Sequence, residues 1–538
     1  GRMAIINQFD KRSGITYVYE SISYWDKEKK QPRAKRTLIG KRDSNTGEII
    51  PTDGRGRKHK EDPEAANSRK PGPVPIEIAS RRFYGTTYLL DEIGKKLGLT
   101  EDLKQCFPAS YKQIQSIAYY MILESESPLF RFEKWSTLHK HPYDKNISSQ
   151  RSSELFSDIS EEERTKFFTL QEKRRSGDEY WAYDTTSVSS YSQTLRQAQY
   201  GKNKEDDRLP QINLALVFGE KSGLPFYYRK LAGNIPDVRT VQNLLADFAV
   251  LGFDKVKLVM DRGFYSEANV NGLLKEHLKF IVAIQTSNSF ARKAIDTVYD
   301  NFRSFENFDE QHELYAKTVL SEWEYKQERP YKKDVLTDKK RVYLHIYFNI
   351  DKFAEDETNF DRKLMAMRKE ILSGKRVAKH ERFYKQYFQI KETPIRGLQV
   401  TVIEEAVKTT KRYYGYFTLI SNEKMDAMAA LELYRNKDLI EKAFGNIKDR
   451  LNLRRLLVSS EKSLDGKLFV AFVALIYLSY LKKHMHEAEL YQNYTIQSAL
   501  DKLDIIECFE YPGYDLRVGE VLTKQKQIYE ALGITPPA

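Results

Sequence analysis

Hydrophobic and polar positions change their rhythm several times along the chain. Residues 1–50 alternate apolar and polar side chains through GITYVYESISYW and TLIGKRDSNTGEII, the period-two pattern of half-buried strands, with a turn at Asn45-Thr46-Gly47. Residues 51–79 hold breakers and charge with almost no apolar content and read as a basic linker. That tract fits a solvated linker and a DNA-tracking arm about equally. Residues 80–177 show helical spacing, as in YLLDEIGKKLGL and YKQIQSIAYYMILES, and predict an all-α domain for DNA binding, dimerisation or simple packing.

The texture changes again at residue 178. EYWAYDTTSVSS, PQINLALVFG and LPFYYRKLAG give three strands in succession. RTVQNLLADFAVLG then predicts a helix, KVKLVMD a buried strand, SEANVNGLLKEH a helix and KFIVAIQ a further strand. Three strands followed by helix, strand, helix, strand describe an α/β mixed sheet with flanking helices over 178–285. Residues 286–423 interrupt it with strand-like runs (KRVYLHIYFNI, RYYGYFTLI) around a charged helical stretch, DRKLMAMRKEILSGKRVAKHERFY, and are expected to form a large β-rich insertion domain. Long helices return over 424–490, and 491–538 reads as a C-terminal helical region.

Composition narrows the function classes. The 538 residues carry a net charge of +12, which makes a polyanion the natural partner. Up to residue 75 there are 17 Lys or Arg against 10 Asp or Glu, so much of the excess lies at the start. The two cysteines, Cys106 and Cys508, are far apart, and no Cys/His cluster points to zinc or a disulfide framework. The longest apolar run, LFVAFVALIYLSYL, has 14 residues, too few to span a bilayer, and predicts a buried core helix. A soluble intracellular protein is expected, without a membrane partner.

Two acids end predicted strands: Asp184 after EYWAY and Asp261 after KLVM. In open α/β sheets the crevice beyond the carboxyl ends of the strands is the usual ligand position. A lone acid there is more often a turn former or helix cap. Two of them, in the first and fourth strands of this order, supply hard oxygen ligands that suit Mg²⁺ or Mn²⁺ better than zinc. Glu441 is the third candidate. In LELYRNKDLIEKAFGNIKDRLNLRRLL, helical geometry places Tyr434, Lys437, Glu441, Lys448 and Arg455 on one ridge, beside a seam of Ile440, Phe444, Ile447 and Leu451 expected to pack inward. Spacing alone favours a solvated salt-bridge face for that ridge.

The segments WAYDTTSVSS, VMDRGFYS and YRNKDLIEKAFGNIKDRL together resemble the DDE transposases of bacterial and archaeal insertion sequences. The likeness is to the group in which Tyr, Arg, Glu and Lys recur as Y-(2)-R-(3)-E-(6)-K. Tyr434, Lys437, Glu441 and Lys448 fill that spacing, with Lys in place of Arg and Arg435 alongside. YGKNKEDDRLPQI and LAGNIPD look like the family as well. The resemblance implies a ribonuclease-H-like core in which Asp184, Asp261 and Glu441 hold two Mg²⁺ ions, replaceable by Mn²⁺. It implies cleavage at transposon ends and strand transfer into target DNA, cut-and-paste, possible through a hairpin at the end. The partners implied are double-stranded DNA (terminal inverted repeats and target) and a second copy in a homodimer, in a prokaryotic cytoplasm at the nucleoid. Arg262 would brace the distorted end, Tyr434, Arg435, Lys437, Lys448 and Arg455 would hold its phosphates, and Trp323 would stack on a flipped base, although a tryptophan there is more often core. The alternatives are a ribonuclease-H-like, structure-selective nuclease and a domesticated, DNA-binding transposase derivative.

Overall fold

The computed structural model describes residues 3–26, 29–51, 80–124, 131–175, 178–189, 199–200, 210–231, 235–253, 255–451 and 461–538. The predicted linker therefore lies almost wholly outside the described residues, as does most of YGKNKEDDRLPQI. The chain divides into two compact units: residues 1–174 with 187–212 and 443–538, and residues 175–186 with 213–442.

The second unit is built on a mixed sheet. Its main strands are β1 (Tyr180–Ser189), β2 (Pro210–Gly219), β3 (Pro225–Leu231), β4 (Lys257–Met260), β5 (Lys279–Ile284), β6 (Leu314–Arg329), β7 (Asp334–Phe348) and β8 (Tyr416–Ser421), in the spatial order β6-β7-β8-β5-β4-β1-β2-β3, with the two-residue strands Phe308–Asp309 and Gln199–Tyr200 added beside β6 and β2. β4 runs parallel to both β1 and β5; β8 is antiparallel to β5 and β7. The parallel strands read as unbroken apolar runs because both faces are covered. Leu258, Val259, Met260, Phe280 and Ile281 are all fully buried. Helix α1 (Asp237–Leu251) joins β3 to β4 and buries Val241, Leu244, Leu245 and Phe248, a spacing that puts one stripe on the sheet. Helix α2 (Glu267–Lys275) joins β4 to β5. Trp181 of β1 stacks on Phe226 of β3, with Phe248 and Phe253 at its edges.

Residues 286–423 do not form one separate β-rich insertion. β6 and β7 make a long hairpin whose base continues the central sheet, and β8 returns into the sheet between β7 and β5. Alternation in KRVYLHIYFNI and RYYGYFTLI reports strands correctly; which sheet they join depends on partners distant in sequence. The segment with a core of its own is shorter. It holds helices α3 (Ile350–Leu372) and α4 (Glu381–Tyr387), the hairpin Phe388–Thr393/Gly397–Val402 and the helix Glu404–Lys411. Phe360, Met367, Ile371, Tyr384, Tyr387, Phe388 and Val407 pack together inside it. Helix α5 (Ala427–Leu451) follows β8.

In the first unit, Met3–Asp10, Ile15–Asp26, Gln31–Arg42 and Ile49–Pro51 form an antiparallel meander. Its last turn brings Gly47 to a φ of +71°, the left-handed conformation that glycine adopts freely. Among the described residues six helices follow between residues 85 and 173. The apolar run anticipated as a core helix lies in a longer one, Glu461–Glu487. By length and composition that helix could cross a membrane; here its apolar window is 94% buried in the unit. The C-terminal region is not purely helical, since Glu507–Glu510 pairs with both Arg517–Val518 and Ser80–Phe83.

Two glycines offer a test of this packing. A Cβ on Gly466, in the long apolar helix, would lie 1.9 Å from the Phe156 carbonyl oxygen, whereas one on Gly445 meets nothing within 4 Å among the described residues. Gly466→Ala is expected to destabilise by about 2 kcal/mol or more, the scale of overpacking. Gly445→Ala should stabilise by about 0.5–1 kcal/mol through helix propensity. Denaturation midpoints that rank the variants the other way round would contradict the packing described.

Candidate active site

The positions of the two aspartates follow from strand register. Val259 of β4 stands opposite Ala182 of β1. Two residues farther along these parallel strands, Asp261 and Asp184 therefore stand level, on neighbouring strands about 4.8 Å apart and on the same face. β1 itself continues to Ser189, so Asp184 is not its last residue as the sequence suggested; it lies just past the part paired with β4. Tyr180, Trp181, Ala182 and Tyr183 before it are buried, and Asp184 is the first side chain of the strand to be only half-buried.

Each aspartate has one oxygen fixed by its own backbone. Asp184 Oδ1 accepts the Thr185 N–H at 2.8 Å, and Asp261 Oδ1 accepts the Gly263 N–H at 2.8 Å, capping the turn Arg262–Phe264. Among the described residues the second oxygen of each makes no hydrogen bond. Burial pushes the Asp184 carboxyl up to about 6; the Thr185 amide works against that, while the Asp261 charge adds to it.

Glu441 arrives from α5. Ala427, Ala430, Leu431 and Lys437 of this helix are buried, with Tyr434 and Glu441, three residues before and four after Lys437, half-buried on the same face. Ile440, expected in the inward seam, is half-buried like Tyr434 and Glu441, whereas Lys437 of the ridge is fully buried; the other seam side chains, Phe444, Ile447 and Leu451, lie outside the described residues. Asn436 anchors the helix by donating to Glu220 Oε2, just past β2, at 3.1 Å. Burial raises the Glu441 carboxyl to about 7; Lys437 opposes this, and the Asp184 and Asp261 charges reinforce it. The three acids therefore sense one another electrostatically.

Lys437 sits at the centre of this arrangement with no exposed side-chain surface. Its Nζ donates to Glu441 Oε1 at 3.2 Å and Asp438 Oδ1 at 2.8 Å, and lies 4.6 Å from the centre of the Tyr434 ring. Burial disfavours its charge, but Glu441, Asp438 and Tyr434 outweigh that and hold it more firmly protonated than an ordinary lysine. Where the sequence suggested a phosphate grip, the Lys437 ammonium is buried and paired within the chain. Burial pushes the Tyr434 phenol up to about 12, so it remains a neutral donor.

Arg262 and Arg435 are exposed. Trp323 is not available for stacking on a base: it is 3% exposed, donates its indole N–H to Asn271 Oδ1 at 2.8 Å and packs edge-on against Phe290. The Lys448 side chain and all of Arg455 lie outside the described residues. Asp237, which ends the LAGNIPD motif, was not picked out from sequence as a site residue. It accepts the Thr185 hydroxyl at 2.8 Å and adds to the field at Asp184. Among the described residues no group of three acidic, His or Cys side chains is close enough to hold a metal ion as it stands. The donor chemistry nevertheless fits a hard divalent cation: two aspartates have an unbonded oxygen each, and a third carboxylate is held beside them by an ammonium of the same sign as a metal.

A family model for the transposase DDE domain matches residues 175–477, more than half of the chain. The chain belongs to that family. The matched region includes Asp184, Asp261 and Glu441, the central sheet and α5. A cryo-EM structure of a piggyBac transposase synaptic complex with hairpin DNA shares 10% identity and a TM-score of 0.32, covering 77% of this chain and 70% of that one. No match is found among curated proteins.

Two outcomes test this candidate site. Asp184 and Glu441 both have raised values, so the folded state holds their protons more tightly than the unfolded chain does. Their contribution to stability is greatest in acid and falls as pH rises from about 4 to about 7. A divalent cation binds only the anions, so the rise in melting temperature produced by Mn²⁺ should be larger at pH 8 than at pH 5.5, and absent in Asp184→Asn. An equal rise at both pH values, or one that survives in the variant, would count against the site. Lys437→Met leaves neighbouring carboxylates uncompensated and should cost roughly 3 kcal/mol at pH 8, with a smaller loss at pH 5; a pH-independent loss would show that Lys437 only packs.

Proposed function

We propose that this chain is the transposase of a bacterial or archaeal insertion sequence of the Y-R-E-K group, cutting and joining double-stranded DNA from a ribonuclease-H-like core. The level placement of Asp184 and Asp261 on β1 and β4, with Glu441 of α5 paired to the buried Lys437 ammonium and coupled electrostatically to both aspartates, carries the reading. The strand order β3-β2-β1-β4-β5, with β1, β4 and β5 parallel, supports the ribonuclease-H-like assignment.

Asp184, Asp261 and Glu441 would hold two divalent ions, Mg²⁺ with Mn²⁺ as a substitute. Such ions, when bound, activate an attacking hydroxyl and stabilise the charge that builds on the leaving oxygen. The chain's own groups do the rest. Backbone amides of Thr185 and Gly263 fix one oxygen of each aspartate, which sets the direction of the other. Lys437 holds Glu441 and balances the acids. Arg262 and Arg435 are free to take phosphate oxygens beside the site, and Tyr434 offers a phenolic proton.

Cutting forms a bond from water oxygen to phosphorus, breaks the bond to the 3′ oxygen and leaves a 3′-hydroxyl. Joining is the same displacement with that 3′-hydroxyl in place of water: one phosphodiester forms, one breaks, and no covalent intermediate with the protein is needed. Attack on the opposite strand would give a hairpin, and attack on target DNA gives insertion. An element has two ends, so a homodimer acting at terminal inverted repeats is the assembly proposed, in a prokaryotic cytoplasm.

Asp184→Asn and Glu441→Gln should each lower Mg²⁺-dependent nicking of a terminal-repeat duplex by at least about a hundredfold, with repeat binding kept. A pre-cut end carrying a 3′-hydroxyl should be joined to a second duplex by the unaltered chain. Hydrolysis without joining would identify a nuclease; full nicking by either variant would remove that acid from the site.

A further inference from the structure

The chain's positive charge is concentrated in two segments. Residues 362–385 hold nine Lys or Arg against two acids, an excess of +7 within 24 residues. The first 75 residues carry another +7, so the remainder of a chain with net charge +12 is slightly acidic. The segment 362–385 belongs to the small subdomain of α3 and α4, whose role the proposed chemistry leaves open.

The fold turns these cations outward. In α3, Phe360, Met367 and Ile371 face the subdomain core. Arg362 and Lys369, two turns apart, lie on the opposite face and are exposed. The connection to α4 exposes Lys375 and Lys379; in α4, Tyr384 and Tyr387 are buried while Arg382 and Lys385 are exposed. Neutralisation within the chain is slight. Arg376 pairs with Glu381 and His380 with Glu370, whereas the six cations just named make no ion pair among the described residues. Met365, Leu372 and Val377 are partly exposed among them, at 46%, 53% and 38%.

We infer that this side of the subdomain is a second DNA-binding surface that holds the phosphate backbone of a duplex without reading its sequence. The inference rests on the DNA-cutting reading above. Charge complementarity selects the occupant. A duplex presents one negative charge per about 1.7 Å of axis, and the stretch of α3 from Arg362 to Leu372 is about 15 Å long. The exposed groups are mostly flexible cations, which suit phosphates; a base-reading surface would present fixed amides or bidentate arginines. Such a surface would hold target or flanking DNA while an element end occupies the acids.

The test compares the full chain with a variant carrying Lys369→Gln, Lys375→Gln, Lys379→Gln, Arg382→Gln and Lys385→Gln. Binding to a random-sequence duplex and to a terminal-repeat duplex is followed by fluorescence anisotropy across salt concentrations. On the random duplex the variant's log–log salt slope should be shallower by about 4, since each lost phosphate contact removes about 0.9. Its affinity near 0.1 M salt should fall at least tenfold. Loss on both duplexes means a general backbone grip, and loss on the random duplex alone means a target-holding surface; either supports the inference. A slope changed by less than 1 on both overturns it and leaves a solvated face or another acidic partner. Should the five-fold variant fail to fold, Lys375→Gln with Lys379→Gln, in the connection, should still reduce the slope by about 2. Nicking of the repeat distinguishes the two readings. Nicking retained with an unchanged slope sinks the surface alone, and a changed slope without any nicking by the unaltered chain sinks the catalytic reading alone.

Discussion

The structure depends on opposed charges held in one place. Parallel pairing of β1 with β4 sets Asp184 and Asp261 level on adjacent strands, and α5 presents Glu441 to them. The charges of Asp184, Asp261 and Glu441 repel one another, and burial raises the cost of charge on Asp184 and Glu441. Lys437 makes the arrangement tolerable, because its fully buried ammonium bonds Glu441 and Asp438. A slip of one residue between β1 and β4 would turn one aspartate to the far face of the sheet. Strand register and helix orientation therefore carry the chemistry jointly.

The remainder of the second unit keeps that register. β4 and β5 are enclosed on both faces, which leaves little room for slippage, and Trp181 wedged among Phe226, Phe248 and Phe253 fixes the end of β1 before the acid. β6, β7 and β8 extend the sheet beyond β5, and a compact subdomain grows from β7 with its own core. The transposase DDE family match covers this whole sheet and the subdomain that grows from it. Along the sequence the positive charge gathers in the first 75 residues and in residues 362–385, outside the segments that form β1 and β4.

Much of the core could be read from sequence because its signals are local. Unbroken apolar runs marked KLVM and KFIVAI as buried strands, and the polar residue ending each run marked where the chain leaves the sheet. The inward face of α5 was less legible. Tyr434, Lys437 and Glu441 look like a solvated ridge to any rule that sends charge outward; they face inward because other acids lie opposite, information held in residues some 180 and 250 positions earlier. Trp323 follows the core reading given beside the stacking one. Its burial depends on Asn271 and Phe290, on elements that nothing near it in sequence announces. The strand runs within 286–423 were visible, yet their membership of the central sheet is a long-range property. Asp237 lay in a motif that was noticed, and only Thr185 beside it reveals its connection to the acids.

The most direct test of the central claim is an anomalous-scattering map of crystals of the chain soaked in Mn²⁺ above pH 7. The account predicts density bounded by carboxylate oxygens of Asp184, Asp261 and Glu441, with the Lys437 ammonium moved off Glu441. Manganese bound elsewhere, or none bound while Lys437 stays on Glu441, would contradict it.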